Sequence, residues 1–142
     1  MQEHENSLGF LIADVSRLMR RAFQRKLEGS DLTMAQAKAL VFVSRHEGVR
    51  QVDLADYLEL QPMTLVRLID GLQKQGLVER RANPSDRRAY DIYLTPQAEP
   101  QLAQIKQVAE EIKAFAFSEL DSQQTEQFIS ALTNARQKLN QI

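Results

Sequence analysis

Residues 51–95 read QVDLADYLELQPMTLVRLIDGLQKQGLVERRANPSDRRAYDIYLT. Val52, Leu54, Ala55 and Leu58 are the apolar positions of a short helix, about Gln51 to Leu58. Pro62 suits the first turn of a second helix, where its missing N–H costs nothing. Leu65, Val66, Ile69 and Leu72 bury that helix, and Gly76 stops it as a C-terminal cap. Met63, Thr64, Arg67 and Asp70 lie off the buried stripe. Leu77 to Arg81 and Tyr90 to Leu94 then read as two strands, with Ile92 and Leu94 alternating with Tyr93 as a half-buried strand requires. Asn83-Pro84-Ser85-Asp86 supplies the turn between them. A helix, a turn, a helix and a basic hairpin without a gap are the layout of a winged helix-turn-helix, a reader of DNA.

On the N-terminal side, Leu8, Leu11, Ile12, Val15, Leu18, Met19, Ala22, Phe23 and Leu27 recur at spacings of three and four, one stripe on a long first helix. Gly29-Ser30 ends it. Thr33 and Gln36 form a T-x-x-Q capping box that starts the next helix. Met34, Ala37, Leu40 and Val41 give that helix its buried face, and His46-Glu47-Gly48 closes it. On the C-terminal side, Thr95-Pro96 supplies a cap and first-turn proline for a fifth helix. Pro100 removes one backbone hydrogen bond there and predicts a slight bend.

Leu102, Ile105, Ala109, Ile112 and Ala116 form one seam with a period of 3.5, and Phe128, Leu132, Ala135, Leu139 and Ile142 form another. Ser118 to Ser122 breaks the helix between them, and Phe115, Phe117 and Ile129 add apolar surface. The seams fit an intramolecular hairpin or a dimer. The dimer is the expectation, because paired half-sites are how such readers gain affinity. The predicted fold is mainly α with a small β-wing: a winged helix-turn-helix DNA-binding region over 31–95, with helical dimerisation regions over 1–30 and 96–142.

Hydrophobic residues make up 43% of the 142 and charged residues 26%, which is ordinary for a globular chain of one domain. The apolar stretches are short and broken by charge, so no helix is expected to span a bilayer. The N-terminus MQEHENSLGF lacks a basic region before an apolar core, so no signal peptide is expected. The chain has no cysteine, which excludes disulfides and thiolate metal sites. Cytoplasmic residence is the default expectation. The net charge of −1 is low for a nucleic-acid partner, but its distribution is uneven. Arg67, Lys74, Arg80, Arg81, Arg87 and Arg88 outnumber Asp70, Glu79 and Asp86 across the second helix and hairpin. The surplus of carboxylates lies beyond Thr95. Local field rather than net charge governs where a phosphate backbone docks.

The candidate DNA-binding residues follow from this layout. Arg67, on the outer side of the recognition helix, can reach guanine in the major groove or hold a phosphate. Gln61, Met63 and Thr64 open the same helix. Met63 and Thr64 can touch a thymine methyl, with core packing the alternative for Met63. Arg87 and Arg88 lie at the hairpin tip, where a narrow minor groove attracts an inserted cation; a solvated charged turn is the alternative. Asp86 is placed to clamp Arg88 across one residue. Arg80 and Arg81, at the hairpin base, are expected at phosphates. For catalysis there is no clustered set of titratable groups. His4 lies in a terminus expected to fray, His46 has no carboxylate or thiol at ligand spacing except Glu47, and there is no glycine-rich phosphate loop. Neither an enzyme, a cofactor nor a metal is expected. A helical dimeric adaptor that binds other proteins would explain the seams, but not the basic hairpin.

Three stretches, LQPMTLVRLIDGLQKQGLVERR, SDRRAYDIYLT and LTPQAEP, resemble the MarR-type transcriptional regulators, SlyA-like proteins in particular. The resemblance covers the whole chain in helix order and length. It implies a homodimer with interlocked terminal helices, whose two winged lobes straddle a pseudo-palindromic operator on double-stranded DNA, acting as a repressor. The Asp-x-Arg spacing of Asp86 and Arg88 is that family's wing signature. Tyr90 and Asp91 depart from it, standing where SlyA-like chains carry more basic residues. Asp91 would repel phosphate or pair with a wing arginine. The resemblance also implies a small aromatic carboxylate effector, with Arg17 at a ligand-contacting position faced by Ala35 and Val41. The alternative for Arg17 is a pairing with a surface carboxylate or a phosphate.

Overall fold

The computed structural model describes residues 7–142, so His4 and the first six residues of the stretch read for a signal peptide lie outside the described residues. The elements in chain order are α1 (Leu8–Leu27), α2 (Met34–Arg45), β1 (Val49–Arg50), α3 (Gln51–Tyr57), α4 (Pro62–Lys74), β2 (Val78–Asn83), β3 (Asp86–Leu94), α5 (Ala98–Ala116) and α6 (Ser122–Leu139). The chain divides into two compact units, Met1–Val108 and Ala109–Ile142. Among the described residues, no helix is long and apolar enough to cross a membrane.

The core of the first unit gathers one face from each element. Leu40 and Val43 come from α2, Leu54 from α3, Leu65, Ile69 and Leu72 from α4, Val78 from β2 and Ile92 from β3; all are fully buried or nearly so. Each such side chain contributes on the order of 1.5–3 kcal/mol through removal from water. The expected capping box of α2 is present: Gln36 N–H donates to Thr33 Oγ1 at 3.2 Å, and Thr33 N–H donates to Gln36 Oε1 at 3.1 Å. It satisfies two of the donors that a helix start leaves unpaired.

Both helices of the helix-turn-helix end in the same reversal. At the end of α4, Gly76 takes φ 76°; its N–H donates to Gln73 O, and Leu77 N–H donates to Leu72 O. That is a Schellman closure with glycine in its left-handed position. At the end of α3 the equivalent bonds run from Glu59 N–H to Asp56 O and from Leu60 N–H to Ala55 O. Here the left-handed residue is not glycine: Glu59 has φ 55°. A Cβ in that region costs about 1 kcal/mol. Glu59→Gly is therefore expected to stabilise the fold by about 1 kcal/mol, seen as a higher denaturation midpoint at unchanged slope. A midpoint at or below that of the unsubstituted protein would contradict this.

Several elements differ from the sequence expectation. A third strand, β1, pairs antiparallel with β3, so the sheet order is β1-β3-β2, with Val49 opposite Ile92 and Arg50 opposite Asp91. The hairpin strands are longer than expected and leave only Pro84 and Ser85 between them, with an irregularity between Ala82 and Asn83. Asn83 Oδ1 accepts from Ser85 N–H at 2.9 Å and tightens the reversal. Arg87 and Arg88 are thus strand residues rather than tip residues. α5 begins at Ala98 rather than Pro96, because the Thr95 hydroxyl donates to Gly76 O and Ala98 N–H returns to Thr95 O. Pro100 consequently falls in the first turn, where no intrahelical acceptor exists for its missing N–H, and the expected lost bond does not arise.

The stripe on α1 is amphipathic, yet only Leu27 of it is buried. Leu8, Leu11, Ile12, Val15 and Leu18 are all exposed. In the second unit, Asp121 and Gln124 form a capping box that starts α6 after the expected break. Phe117 packs on Phe128 with ring centroids 5.3 Å apart. No residue of α6 is buried; Phe128, Ile129, Leu132 and Leu139 stand exposed along it.

Candidate nucleic-acid interface

With Leu65, Ile69 and Leu72 turned inward, the 3.6-residue period places Met63, Arg67, Asp70 and Lys74 on the opposite side of α4. All four are exposed. Met63 is 64% exposed, which sets aside the core alternative for it. Thr64 is exposed on the flank of that face, and Gln61 is the N-cap residue with no side-chain capping bond. The Arg67 guanidinium makes no hydrogen bond or ion pair among the described residues. A cation held out on a rigid helix without a protein partner has its donors available for a ligand.

The wing carries a second such group. Arg87 and Arg88 are exposed on β3, and neither side chain is bonded among the described residues. Asp86 does not grip the Arg88 guanidinium as expected. Its Oδ1 instead accepts from the Arg88 backbone N–H at 3.0 Å, and its Oδ2 lies 3.7 Å from Arg50 Nη2. A short aspartate reaches the amide two residues on more readily than the end of a long side chain. The effect is still to aim Arg88, through its backbone. Asp91 takes neither of the roles foreseen for it. It is buried, and its Oδ1 accepts from Asn83 Nδ2 at 2.9 Å, a cross-strand bond that satisfies it and withdraws its charge from the surface.

At the hairpin base the two arginines behave differently. Arg81 lies over the Tyr93 ring, 3.8 Å from its centroid, and its Nε donates to Glu79 Oε1 at 2.8 Å. That hydrogen bond, opposed by slight desolvation, raises its pKa further above the ordinary guanidinium value. Arg80 was read from the sequence as a phosphate contact. Its side chain is only 17% exposed, and its guanidinium is bonded to Gln51, Gln73, Val66 and Asp70. Arg50, which sequence reasoning missed, shares a groove of about 240 Å³ with Arg88 and Tyr90. Two residues of strand give no periodic signal, so β1 and its cation were invisible in the sequence.

The proposed effector residues are not drawn together in the same way. Arg17 pairs with Asp14 of its own helix at 3.5 Å, the surface-carboxylate alternative. Ala35 is exposed and Val41 is half-buried against the core. The two lie roughly 120° apart around α2 and so do not form one wall. His46 stacks on Phe42 with centroids 4.6 Å apart and faces Tyr57 at 6.0 Å. Among the described residues, no group of three or more histidine, cysteine or acidic side chains is placed to hold a metal ion.

Three-stranded antiparallel sheet, paired helices and outward recognition face together define a winged helix-turn-helix protein. Residues 32–90 match the sequence model of the MarR family. It is similar to a MarR transcriptional regulator from Methanosarcina mazei Go1, at 27% identity and a TM-score of 0.80, covering 95% of this chain and 98% of that one. It is similar to a mutant MarR from E. coli complexed with operator DNA, at 26% identity and a TM-score of 0.72, covering 90% and 92%. It is also similar to a MepR–DNA complex from S. aureus, at 25% identity and a TM-score of 0.73, covering 93% and 98%. The family is one of transcriptional regulators rather than of enzymes.

Proposed function

We propose that this chain is a sequence-specific DNA-binding regulator, acting as a homodimer on a pseudo-palindromic operator. α4 enters the major groove and the β2–β3 wing lies against the adjacent minor groove. The observation that carries the reading is the set Arg67, Arg87 and Arg88: three cations on the reading helix and wing whose side chains have no partner among the described residues. The solved DNA complexes of similar MarR and MepR chains support it. Residues 31–95 are assigned to DNA binding, with Gln61, Met63, Thr64 and Arg81 at the edges of the contact. Residues 1–30 and 96–142 are assigned to dimerisation, for which the exposed apolar residues of α1 and α6 are the support. The adaptor reading leaves the cationic face without a purpose. No effector is included, because the placement of Arg17, Ala35 and Val41 gives one no support.

Selection of an operator from random duplex DNA, followed by titration across salt, tests the proposal. A dimer neutralising roughly six to ten phosphates gives a steep negative slope of log K against log salt, and protection of two half-sites about one helical turn apart. A flat slope, or no enriched sequence, would overturn it. On the selected site, Arg67→Ala is expected to cost about 1–3 kcal/mol and to relax one base pair per half-site, as loss of a guanine contact does. Equal weakening on every sequence would mean that Arg67 holds phosphate.

A further inference from the structure

We infer that Arg80 is a positioning residue: it fixes the wing against both helices of the helix-turn-helix and itself touches no DNA. The inference rests on the DNA-reading function proposed above and deepens it. A guanidinium offers five N–H donors in a planar fork. Nε donates to Gln51 Oε1 of α3 at 2.9 Å, and Nη1 donates to Gln73 Oε1 of α4 at 2.8 Å. Nη2 donates to the Val66 carbonyl at 3.1 Å and meets Asp70 Oδ1 at 2.7 Å, both in α4. One side chain from the first strand of the wing therefore reaches both helices. The bond to Val66 grips helix backbone rather than a side chain that can swing away. With these donors engaged and little of the side chain exposed, almost nothing is left for a phosphate.

The Asp70 contact adds an electrostatic role. Asp70 shares the outer face of α4 with Arg67 and is itself 59% exposed. A free carboxylate there would repel the DNA backbone beside the cation meant to approach it. Arg80 holds that carboxylate against β2 and neutralises it. Lysine cannot substitute, because one ammonium on a flexible stem has no fork to span α3 and α4 at once.

The test compares full-length Arg80→Lys with the unsubstituted protein on the selected operator and on random-sequence duplex, across salt. The expected result is a loss of tenfold or more in operator affinity, the scale of charged hydrogen bonds removed. Random-sequence binding and the salt slope should hardly change, because no phosphate contact is lost. Adding Asp70→Asn to Arg80→Lys should recover part of the operator affinity. A salt slope shallower by about one per protomer, with operator and random DNA weakened alike, is the signature of a phosphate contact and would overturn the inference. Operator affinity within twofold of the unsubstituted protein would overturn it as well. If Arg80→Lys does not fold, Gln51→Ala and Gln73→Ala each remove one partner, and each should give a smaller loss of the same kind. Failure of the DNA-reading proposal shows separately, as unsubstituted protein that selects no operator. The positioning claim is then read in the free protein, as faster amide exchange along β2 in Arg80→Lys, and unchanged exchange would overturn it.

Discussion

Arg88→Ala is expected to weaken operator binding on the order of a hundredfold, since a symmetric dimer loses two groove contacts at about 1–3 kcal/mol each. The loss should be largest on sites whose flanks are A·T-rich. A narrow minor groove concentrates negative potential there, and an inserted cation gains most. The structure sharpens this prediction. The Arg88 guanidinium makes no bond among the described residues, while its backbone N–H is held by Asp86. Alanine at 88 therefore removes a cation without disturbing the turn. Asp86→Ala removes the turn bond and leaves the cation, so it should weaken binding less and mainly by loosening the wing. Quantitative binding to operators with A·T-rich and G·C-rich flanks checks both. Equal loss on the two sets would move Arg88 from the groove to the phosphate backbone.

Leu132→Asp is expected to convert the proposed dimer to monomers. Leu132 is exposed along a helix that buries no side chain of its own, so the substitution should leave the protomer's fold intact. In a two-fold interface the change enters twice. An unpaired carboxylate against an apolar partner face costs several kcal/mol. Sedimentation should show one protomer's mass, and operator affinity should fall with it, because the second half-site is no longer tethered to the first. A dimer that survives would place the interface elsewhere, with the exposed stripe of α1 the next surface to alter.

α2 and α4 were legible because each carries its own punctuation. Thr33 and Gln36 announced α2, Pro62 began α4 and Gly76 ended it, all as found. The outer face of α4 followed from the inward positions of Leu65, Ile69 and Leu72 by periodicity alone. What escaped was non-local. β1 is too short to show alternation, and its existence depends on a partner strand far along the chain. Arg80 and Arg81 are adjacent identical residues in the sequence. On a strand, neighbours face opposite sides, and that difference sends one into a web of hydrogen bonds and the other onto the half-buried ring of Tyr93. The fate of Asp91 turned on Asn83, a residue read only as part of a turn.

The pairing of β1 with β3 also bears on how the protein is made. Gly48 N–H donates to Ile92 O, and Val49 lies opposite Ile92, so the two partners flank the entire helix-turn-helix in the chain. During synthesis α2, α3 and α4 can form from contacts close in sequence, but β1 has nothing to pair with until β3 has left the ribosome. Loop closure of that span must come before its contacts can reward it, which makes it the slow step of a fold whose other contacts are mostly short-range. The anchoring of β1 to the wing is therefore acquired late. A nascent or partly folded chain would hold its recognition helix and hairpin before β1 ties the two together.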